Sequence, residues 1–207
     1  MKQFCNRDDA ARQLAHALAP WRGQHAVVYA IPRGAMPIAA WLAKELDAEL
    51  DVVLTHKLGA PGNSEYAIGA VAESGWSHVQ FRGEGIDDDY LRRETAAQLD
   101  RLRKRRLRYG SASVSAQGRI AIVVDDGLAT GATMLAALHA LREQHPQRLI
   151  CAVPVAAADS LQRIAPFADE VVCLHTPPDF HAVGNYYAEF EQVDDAQVVA
   201  ALRRSTR

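Results

Sequence analysis

Two adjacent carboxylates, followed by small and hydroxylated residues, form the stretch of this 207-residue chain with the clearest chemistry. Asp125 and Asp126 end the apolar run of residues 120–124, and the following residues 127–133 include Thr130 and Thr133. A turn of small residues lets backbone N–H groups approach a phosphate, and a helix that begins there adds the positive end of its dipole. Carboxylates beside such a turn can accept hydrogen bonds from vicinal sugar hydroxyls or order a hydrated magnesium ion. The stretch therefore predicts a site for a phosphorylated sugar.

Other site types that place acids at a strand end do not fit this sequence. In receiver domains of response regulators the acids lie near the start of the chain. Dehalogenase-type phosphatases need Asp-x-Asp, whereas Asp125 and Asp126 are adjacent. Neither GxxxxGK(S/T) nor GxGxxG after a strand occurs in the chain, which removes the commonest nucleotide-binding loops. A purely structural strand, turn and helix would leave the paired acids unexplained.

Apolar runs of strand length alternate with helical patterns along most of the chain. This alternation is typical of a doubly wound, mainly parallel α/β sheet flanked by helices. Residues 1–207 suit one domain with a small appendage, and residues 56–64, rich in glycine and proline, predict a mobile loop. The expected strands are 26–31, 50–55, 120–124, 149–153 and 170–174, with a hairpin of 67–72 and 78–81; the expected helices are 10–18, capped by Asp8 and Asp9, then 37–46, 87–109, 134–143, 159–164 and a terminal helix from about residue 194.

The ligand of an open parallel sheet binds beyond the carboxyl ends of the strands. The loops that leave such ends are residues 32–35, 56–68 and 125–133, and another loop follows residue 174. Residues that complete a site around the acid pair should therefore lie in these loops.

Residues 123–133, Val-Val-Asp-Asp-Gly-Leu-Ala-Thr-Gly-Ala-Thr, resemble the motif with which type I phosphoribosyltransferases bind phosphoribosyl diphosphate (PRPP). The resemblance implies transfer of the 5-phosphoribosyl group of PRPP to a nitrogen acceptor, such as a nucleobase or related heterocycle, with release of diphosphate. It also implies Mg2+ as cofactor, held through PRPP and water and in contact with Asp125 or Asp126. The PRPP-binding residues implied in this stretch are Asp125, Asp126, Gly127, Ala129, Thr130, Gly131, Ala132 and Thr133, of which the two acids are also assigned to catalysis.

Two further loops resemble parts of the same family's site. Arg33, Gly34 and Ala35 correspond to the loop that grips diphosphate through backbone N–H groups at a strained peptide; Gly34 can adopt the strained geometry and Arg33 adds a forked cation. Taken alone, these residues would equally suit a surface turn. Lys57 begins a segment that resembles the family's flexible catalytic loop, where it would contact diphosphate. Glu65, at the far end of that loop, matches a catalytic glutamate that meets the base in the adenine-specific branch.

The residues that would select the acceptor form only a weak pattern. Ala129 stands where hypoxanthine/guanine-specific members carry an aspartate, and an alanine can neither deprotonate nor polarise a purine. The C-terminal segment 175–207, with the N-terminal helix 8–19 as a further candidate, is expected to form the hood over the acceptor. Phe180, Tyr186 or Tyr187 could stack there on a flat heterocycle, although packing of a hydrophobic cap explains these aromatic residues equally well. The sequence does not name the acceptor.

Residues 101–108 carry six cations in eight residues. This run suggests an alternative function, a regulator that binds PRPP or nucleotides and contacts RNA or DNA through the basic helix. Positive charge is favoured at a helix C-terminus, however, and a solvated helix end is the preferred interpretation. The net charge of −2 gives no general attraction to nucleic acid or membranes. Neither is therefore expected as a partner, and the family resemblance implies a homodimer.

The cysteine pattern and the lack of targeting segments favour a reducing compartment. Cys5, Cys151 and Cys173 have neither zinc nor redox spacing, and the latter two lie within apolar runs and are expected to be buried. The chain shows no signal-peptide pattern and no apolar run of about 18 residues. We expect a soluble cytoplasmic protein, and the resemblance implies a role in nucleotide salvage.

Overall fold

The computed structural model describes residues 3–79, 81–83, 85–110 and 113–205, without the side chains of residues 64 and 65. The strands are β1 (Val27–Ala30), β2 (Glu49–Val52), β3 (Thr55–Ala60), β4 (Asn63–Ala72), β5 (Ser77–Val79), β6 (Ile120–Val124), β7 (Arg148–Val155) and β8 (Glu170–His175). The helices are α1 (Arg7–Ala17), α2 (Met36–Leu46), α3 (Asp88–Tyr109), α4 (Ala132–Arg142), α5 (Ala158–Ile164) and α6 (Asp195–Ser205).

Five of these strands form one parallel sheet in the order β2-β1-β6-β7-β8, and β3, β4 and β5 form a small antiparallel sheet. The predicted fold class, a parallel α/β sheet flanked by helices, is confirmed. All five residues of β6 are buried. Ile122 and Val124 pack into the core shared with α1 and α2, whereas Ala121 and Val123 pack into the core shared with α4. The apolar run is continuous because the strand is covered on both faces.

The direction of the strand order reverses between β1 and β6, so the loops that follow these two strands lie side by side. Ala30, the last residue of β1, is in register with Val124, the last residue of β6. A reversal of this kind opens a crevice beyond the carboxyl ends of the strands, where doubly wound sheets bind ligands.

The prediction of a mobile loop at residues 56–64 is wrong, because this segment forms the β3–β4 hairpin around a turn at Pro61 and Gly62. Leu58 and Ile68 are fully buried at its base, and the Tyr90 hydroxyl of α3 donates to the Gly59 carbonyl at 2.6 Å. Buried side chains thus anchor a segment whose glycine and proline content favoured disorder. The predicted hairpin further along is confirmed, with strands β4 and β5.

Helix α1 begins earlier than predicted. Its N-cap is Asn6, whose side chain accepts a hydrogen bond from the Asp9 N–H at 3.0 Å, so Asp8 and Asp9 lie in the first turn and do not cap the helix. Arg7 is consequently the first helical residue. Its position at the helix N-terminus brings it to the carboxyl end of β6.

The N-terminal segment of the described chain pairs with the segment that precedes α6. Phe4 forms a parallel bridge with Tyr187, and the Ala188 and Glu189 N–H groups donate to the carbonyls of residues 4 and 5 at 2.8 Å. Helix α6 packs against α2, α3 and β2.

None of the described helices combines the length and the apolar character needed to cross a bilayer. Cys151 is buried as expected, but Cys173 is only half-buried, because β8 is an edge strand of the sheet.

Candidate active site

The two acids follow β6 directly and differ in their surroundings. The Asp125 carboxylate accepts the N–H of Asp126 at 2.9 Å. Asp126 Oδ2 accepts two hydrogen bonds from Arg7, from Nη2 at 2.7 Å and from Nε at 3.1 Å. Burial raises the pKa of both carboxyl groups; the charge of Asp126 raises the pKa of Asp125 further, while Arg7 opposes the rise in both.

Arg7 links three parts of the molecule and was not predicted from the sequence. Besides Asp126, its guanidinium contacts the Glu191 carbonyl at 2.6 Å and lies over the Phe190 ring at 3.9 Å from its centroid. Only 10% of its side chain is exposed. A cation in the first turn of a helix opposes the helix dipole, and the occurrence of Arg7 beside Asp8 and Asp9 is the one sign in the sequence of a distant carboxylate that holds it.

The turn after the acids forms a cradle of about 180 Å³ at the N-terminus of α4. Gly131 caps this helix with φ of 75°, a conformation that favours glycine. The turn is supported from behind by α5, where Ser160 Oγ donates to the Ala129 carbonyl and Arg163 to the Thr130 carbonyl. The residues that line the cradle are Lys57, Asp125, Gly127, Leu128, Ala129, Thr130, Gly131, Thr133 and Met134. The structure thus brings Lys57 of β3 to the predicted phosphate turn; Ala132 is the first residue of α4.

The loop after β1 lies against the acid pair. A Cβ atom added to Gly34 would be 2.2 Å from Asp126 Oδ2, so only glycine fits without moving the carboxylate. The loop contains the cis peptide Pro32–Arg33, and Gly34 is not among the described residues with positive φ, so the structure accounts for this glycine by its close approach to Asp126. Ala35 is fully buried as the N-cap of α2.

A second cavity, of about 620 Å³, adjoins Asp126 and contains three arginines from separate elements. Arg7 comes from α1, Arg33 from the loop after β1, and Arg105 from α3. Within the described part of the chain, no carboxylate lies within salt-bridge distance of Arg33 or Arg105. The charges of both arginines nevertheless lower the pKa of Asp195, which pairs with Arg108. We call this space the arginine cavity. Val183 and residues 190–193 close its other side.

The predicted hood aromatics separate into two groups. Tyr187 is fully buried and its hydroxyl donates to the Asp126 carbonyl at 2.6 Å, so it supports the acid pair and has no free face for stacking. Phe180 and Tyr186 stack on each other with ring centroids 5.5 Å apart, and they line neither the cradle nor the arginine cavity. The side chain of Glu65 lies outside the described residues.

The acid pair suits a magnesium ion that arrives with a phosphorylated substrate. Among the described residues, no group of three or more His, Cys, Asp or Glu side chains is arranged to hold a metal. Mg2+ commonly keeps several waters and binds through one or two carboxylates together with substrate phosphates. Asp125 and Asp126 offer that donor set and no more.

Comparisons with known proteins agree with this geometry. Two Mycobacterium tuberculosis proteins, from strains CDC 1551 / Oshkosh and ATCC 25618 / H37Rv and provisionally named phosphoribosyl transferases, are each 44% identical to this chain over 213 residues. The match covers 100% of this chain and 48% of each relative, so the chain spans about half the length of these curated relatives. The crystal structure of TT1426 from Thermus thermophilus is similar with a TM-score of 0.85 and 44% identity, and the match covers 99% of both chains.

The family model described as the phosphoribosyl transferase domain matches residues 7–190. That range begins at Arg7 and ends at Phe190, so it includes the cradle, the loop after β1 and the acid pair. The chain therefore belongs to the phosphoribosyl transferase domain family.

Proposed function

We propose that this protein transfers the 5-phosphoribosyl group of PRPP to a nitrogen acceptor and releases diphosphate, with Mg2+ as cofactor. The observation that carries the proposal is the meeting of three features in one crevice: the acid pair, the cradle at the N-terminus of α4, and the Arg33–Gly34 loop against Asp126. The family resemblance extends the proposal to a cytoplasmic homodimer that acts in nucleotide salvage.

Each feature suits one part of PRPP. Backbone N–H groups of the first turn of α4 have no acceptor within the helix and, with Thr130 and Thr133, would bind the 5-phosphate. Asp125 and Asp126 would accept hydrogen bonds from the ribose hydroxyls. Arg33, which lines the arginine cavity, and Lys57, which lines the cradle, would bind the diphosphate from two sides as charge-assisted donors.

The arrangement favours the transition state electrostatically. As the glycosidic bond breaks, positive charge develops on the ribose ring and negative charge on the leaving diphosphate. Carboxylates beside the ring and arginines beside the leaving group stabilise that separation without reorganising during the reaction. Bound Mg2+ would neutralise part of the diphosphate charge. Arg7 has a supporting role, because its two hydrogen bonds orient the Asp126 carboxylate before substrate arrives.

The nature of the acceptor is proposed only as a class, a nitrogen heterocycle or amine. Ala129 cannot act as a base toward it. Any acceptor would lie beside Val183 and Phe190, which line the crevice next to Asp126.

The test is diphosphate release from PRPP and Mg2+ in the presence of a panel of nucleobases and amines. Release should depend on one acceptor class. It should fall by about tenfold or more in Lys57→Ala, since a lost charge-assisted contact typically costs about 1.5–3 kcal/mol. Lys44→Ala, a change at a lysine of α2 that lines neither the cradle nor the arginine cavity, is the matched control. PRPP binding without release for any acceptor would favour a regulatory PRPP-binding protein, and absence of PRPP binding would refute the site itself.

A further inference from the structure

Several basic residues of α3 line a further cavity beside the active site. This space, of about 280 Å³, we call the α3 cavity. Its lining residues are His56, Arg101, Leu102, Lys104, Arg105 and Arg108. Five of these six side chains are basic, and none is a carboxylate. Arg105 also lines the arginine cavity, so the two spaces share one guanidinium.

The packing of α3 determines which cations face this cavity. Arg106 is directed into the protein, where it pairs with Asp51 at 2.7 Å and with Glu73, and donates to the Val52 carbonyl at 2.7 Å. This buried network holds the helix in one rotation about its axis. Arg101, Arg105 and Arg108 then share one face of the helix, because they are four and three residues apart.

The positive charge of the α3 cavity is only partly neutralised by the protein. Lys104 pairs with Asp100 at 2.6 Å and Arg108 with Asp195 at 2.9 Å. Arg101 contacts only the neutral Gln98 side chain, at 3.3 Å, among the described residues. Like charges at this helical spacing repel each other, and a bound anion would relieve that repulsion.

We propose that the α3 cavity is a second anion site, which binds the phosphate or diphosphate group of a small molecule. The fork of an arginine matches phosphate oxygens, and two arginines without a salt-bridge partner among the described residues, Arg101 and Arg105, lie on one face of the helix. The volume of about 280 Å³ lies just below the usual range for small-molecule pockets, which suits a small anion, and no aromatic ring of Phe, Tyr or Trp lines the cavity to stack a base. A nucleic acid is disfavoured for the same reason and because Arg106, in the middle of the basic run, is buried in its own ion pairs.

Sharing of Arg105 predicts a consequence for the active site, and this part rests on the proposed function. An anion in the α3 cavity and a diphosphate in the arginine cavity would compete for the same guanidinium. Occupancy of one site should therefore weaken binding at the other, and the coupling must be reciprocal.

The experiment is calorimetric titration of the full chain with inorganic phosphate, diphosphate and adenosine monophosphate, in saturating ribose 5-phosphate to occupy the cradle. Arg101→Gln should weaken anion binding by about tenfold or more. Arg103→Gln is the matched control, because it removes the same charge from the same helix at a residue that does not line the cavity. Equal loss in both variants, or no loss in Arg101→Gln, would overturn the proposal. Both results are independent of PRPP turnover, so they distinguish failure of this site from failure of the proposed function.

The same titrations identify the source of the phosphate. Tighter binding of the monophosphate than of the inorganic anions would assign the site to a nucleotide, and the reverse order would assign it to inorganic phosphate or diphosphate; either order supports the site. A single-stranded RNA whose binding decreases equally in Arg101→Gln and Arg103→Gln would show a diffuse basic surface and contradict it.

Discussion

Asp125 and Asp126 have the same side chain, but their different neighbours give them different effects on stability. Asp126 has Arg7 as a counter-charge. The charged form of Asp125 is destabilised by burial and by the neighbouring charge of Asp126. The same substitution should therefore change the free energy of unfolding in opposite directions at the two positions.

Asp125→Asn should raise the free energy of unfolding near neutral pH, since it removes a buried charge and retains an oxygen for the Asp126 N–H. Asp126→Asn should lower it by about 1.5–3 kcal/mol, because Arg7 loses its charged partner. Urea denaturation of both variants measures these changes, and calorimetry should show weaker PRPP binding in both. A loss of stability in Asp125→Asn as large as that in Asp126→Asn would contradict this view of the pair.

The pH dependence of the same pair has a definite sign. Because folding raises the pKa of Asp125, the folded protein binds this proton more tightly than the unfolded chain does. The contribution of this group to stability is thus largest below the ordinary carboxyl pKa, and it is lost as the pH rises through the raised value. Asp125→Asn should remove that decline from the stability profile.

At the scale of elements, the β3–β4 hairpin determines how Lys57 reaches the cradle. Tyr90→Phe removes the hydroxyl bond to Gly59, and a net loss of about 1 kcal/mol should raise the open population of the hairpin about fivefold. Limited proteolysis near Pro61 and Gly62 should accelerate accordingly. Tyr66→Phe is the control, since Tyr66 is 52% exposed on the same hairpin. Equal acceleration in both variants would mean that Tyr90 does not hold the hairpin.

Elements with a strong local pattern were predictable, and elements held by distant contacts were not. Ile120–Val124 is apolar at every position, and a buried parallel strand requires that pattern. The β3–β4 hairpin was missed because its order depends on Leu58, Ile68 and Tyr90 contacts that no local window contains. In the same way, Arg7 reaches Asp126 across 119 residues of sequence. Motif residues and Arg33 could be identified locally, while Arg7 and Arg105 are brought to the site by the packing of α1 and α3.

At the scale of the whole molecule, a stack of rings joins the small antiparallel sheet to helix α4, which packs against the parallel sheet. Trp76, in the turn before β5, stacks on His139 of α4 with centroids 4.5 Å apart, and Phe167 packs against the same His139 ring at 4.6 Å. Burial and the nearby His78 lower the pKa of His139, against a smaller opposite effect of Glu143. The contact therefore favours the neutral imidazole.

Acidification should loosen this contact between the antiparallel sheet and α4. A histidine whose pKa is lowered by folding stabilises the folded state above the ordinary value of about 6.5 and loses that contribution as the pH falls below it. Trp76 fluorescence, in a background with the other two tryptophans replaced by phenylalanine, should change between about pH 7.5 and 5. The change should be absent in His139→Phe and retained in His16→Phe, an exposed histidine of α1. An unaltered transition in His139→Phe would assign the change to another group.

The bridge between Phe4 and Tyr187 has a practical consequence for protein engineering. The Tyr187 hydroxyl donates to the Asp126 carbonyl. The backbone at Phe4 is therefore linked through Tyr187 to a proposed catalytic acid. An affinity tag or fusion partner attached ahead of residue 3 would be joined to the chain beside this bridge and would disturb the pairing of Phe4 with Tyr187. The last described residue of α6, Ser205, lines a different pocket, with Trp41 and Leu50, and lines neither the cradle nor the arginine cavity. The C-terminal side is therefore the better attachment point for immobilising the protein with its crevice undisturbed.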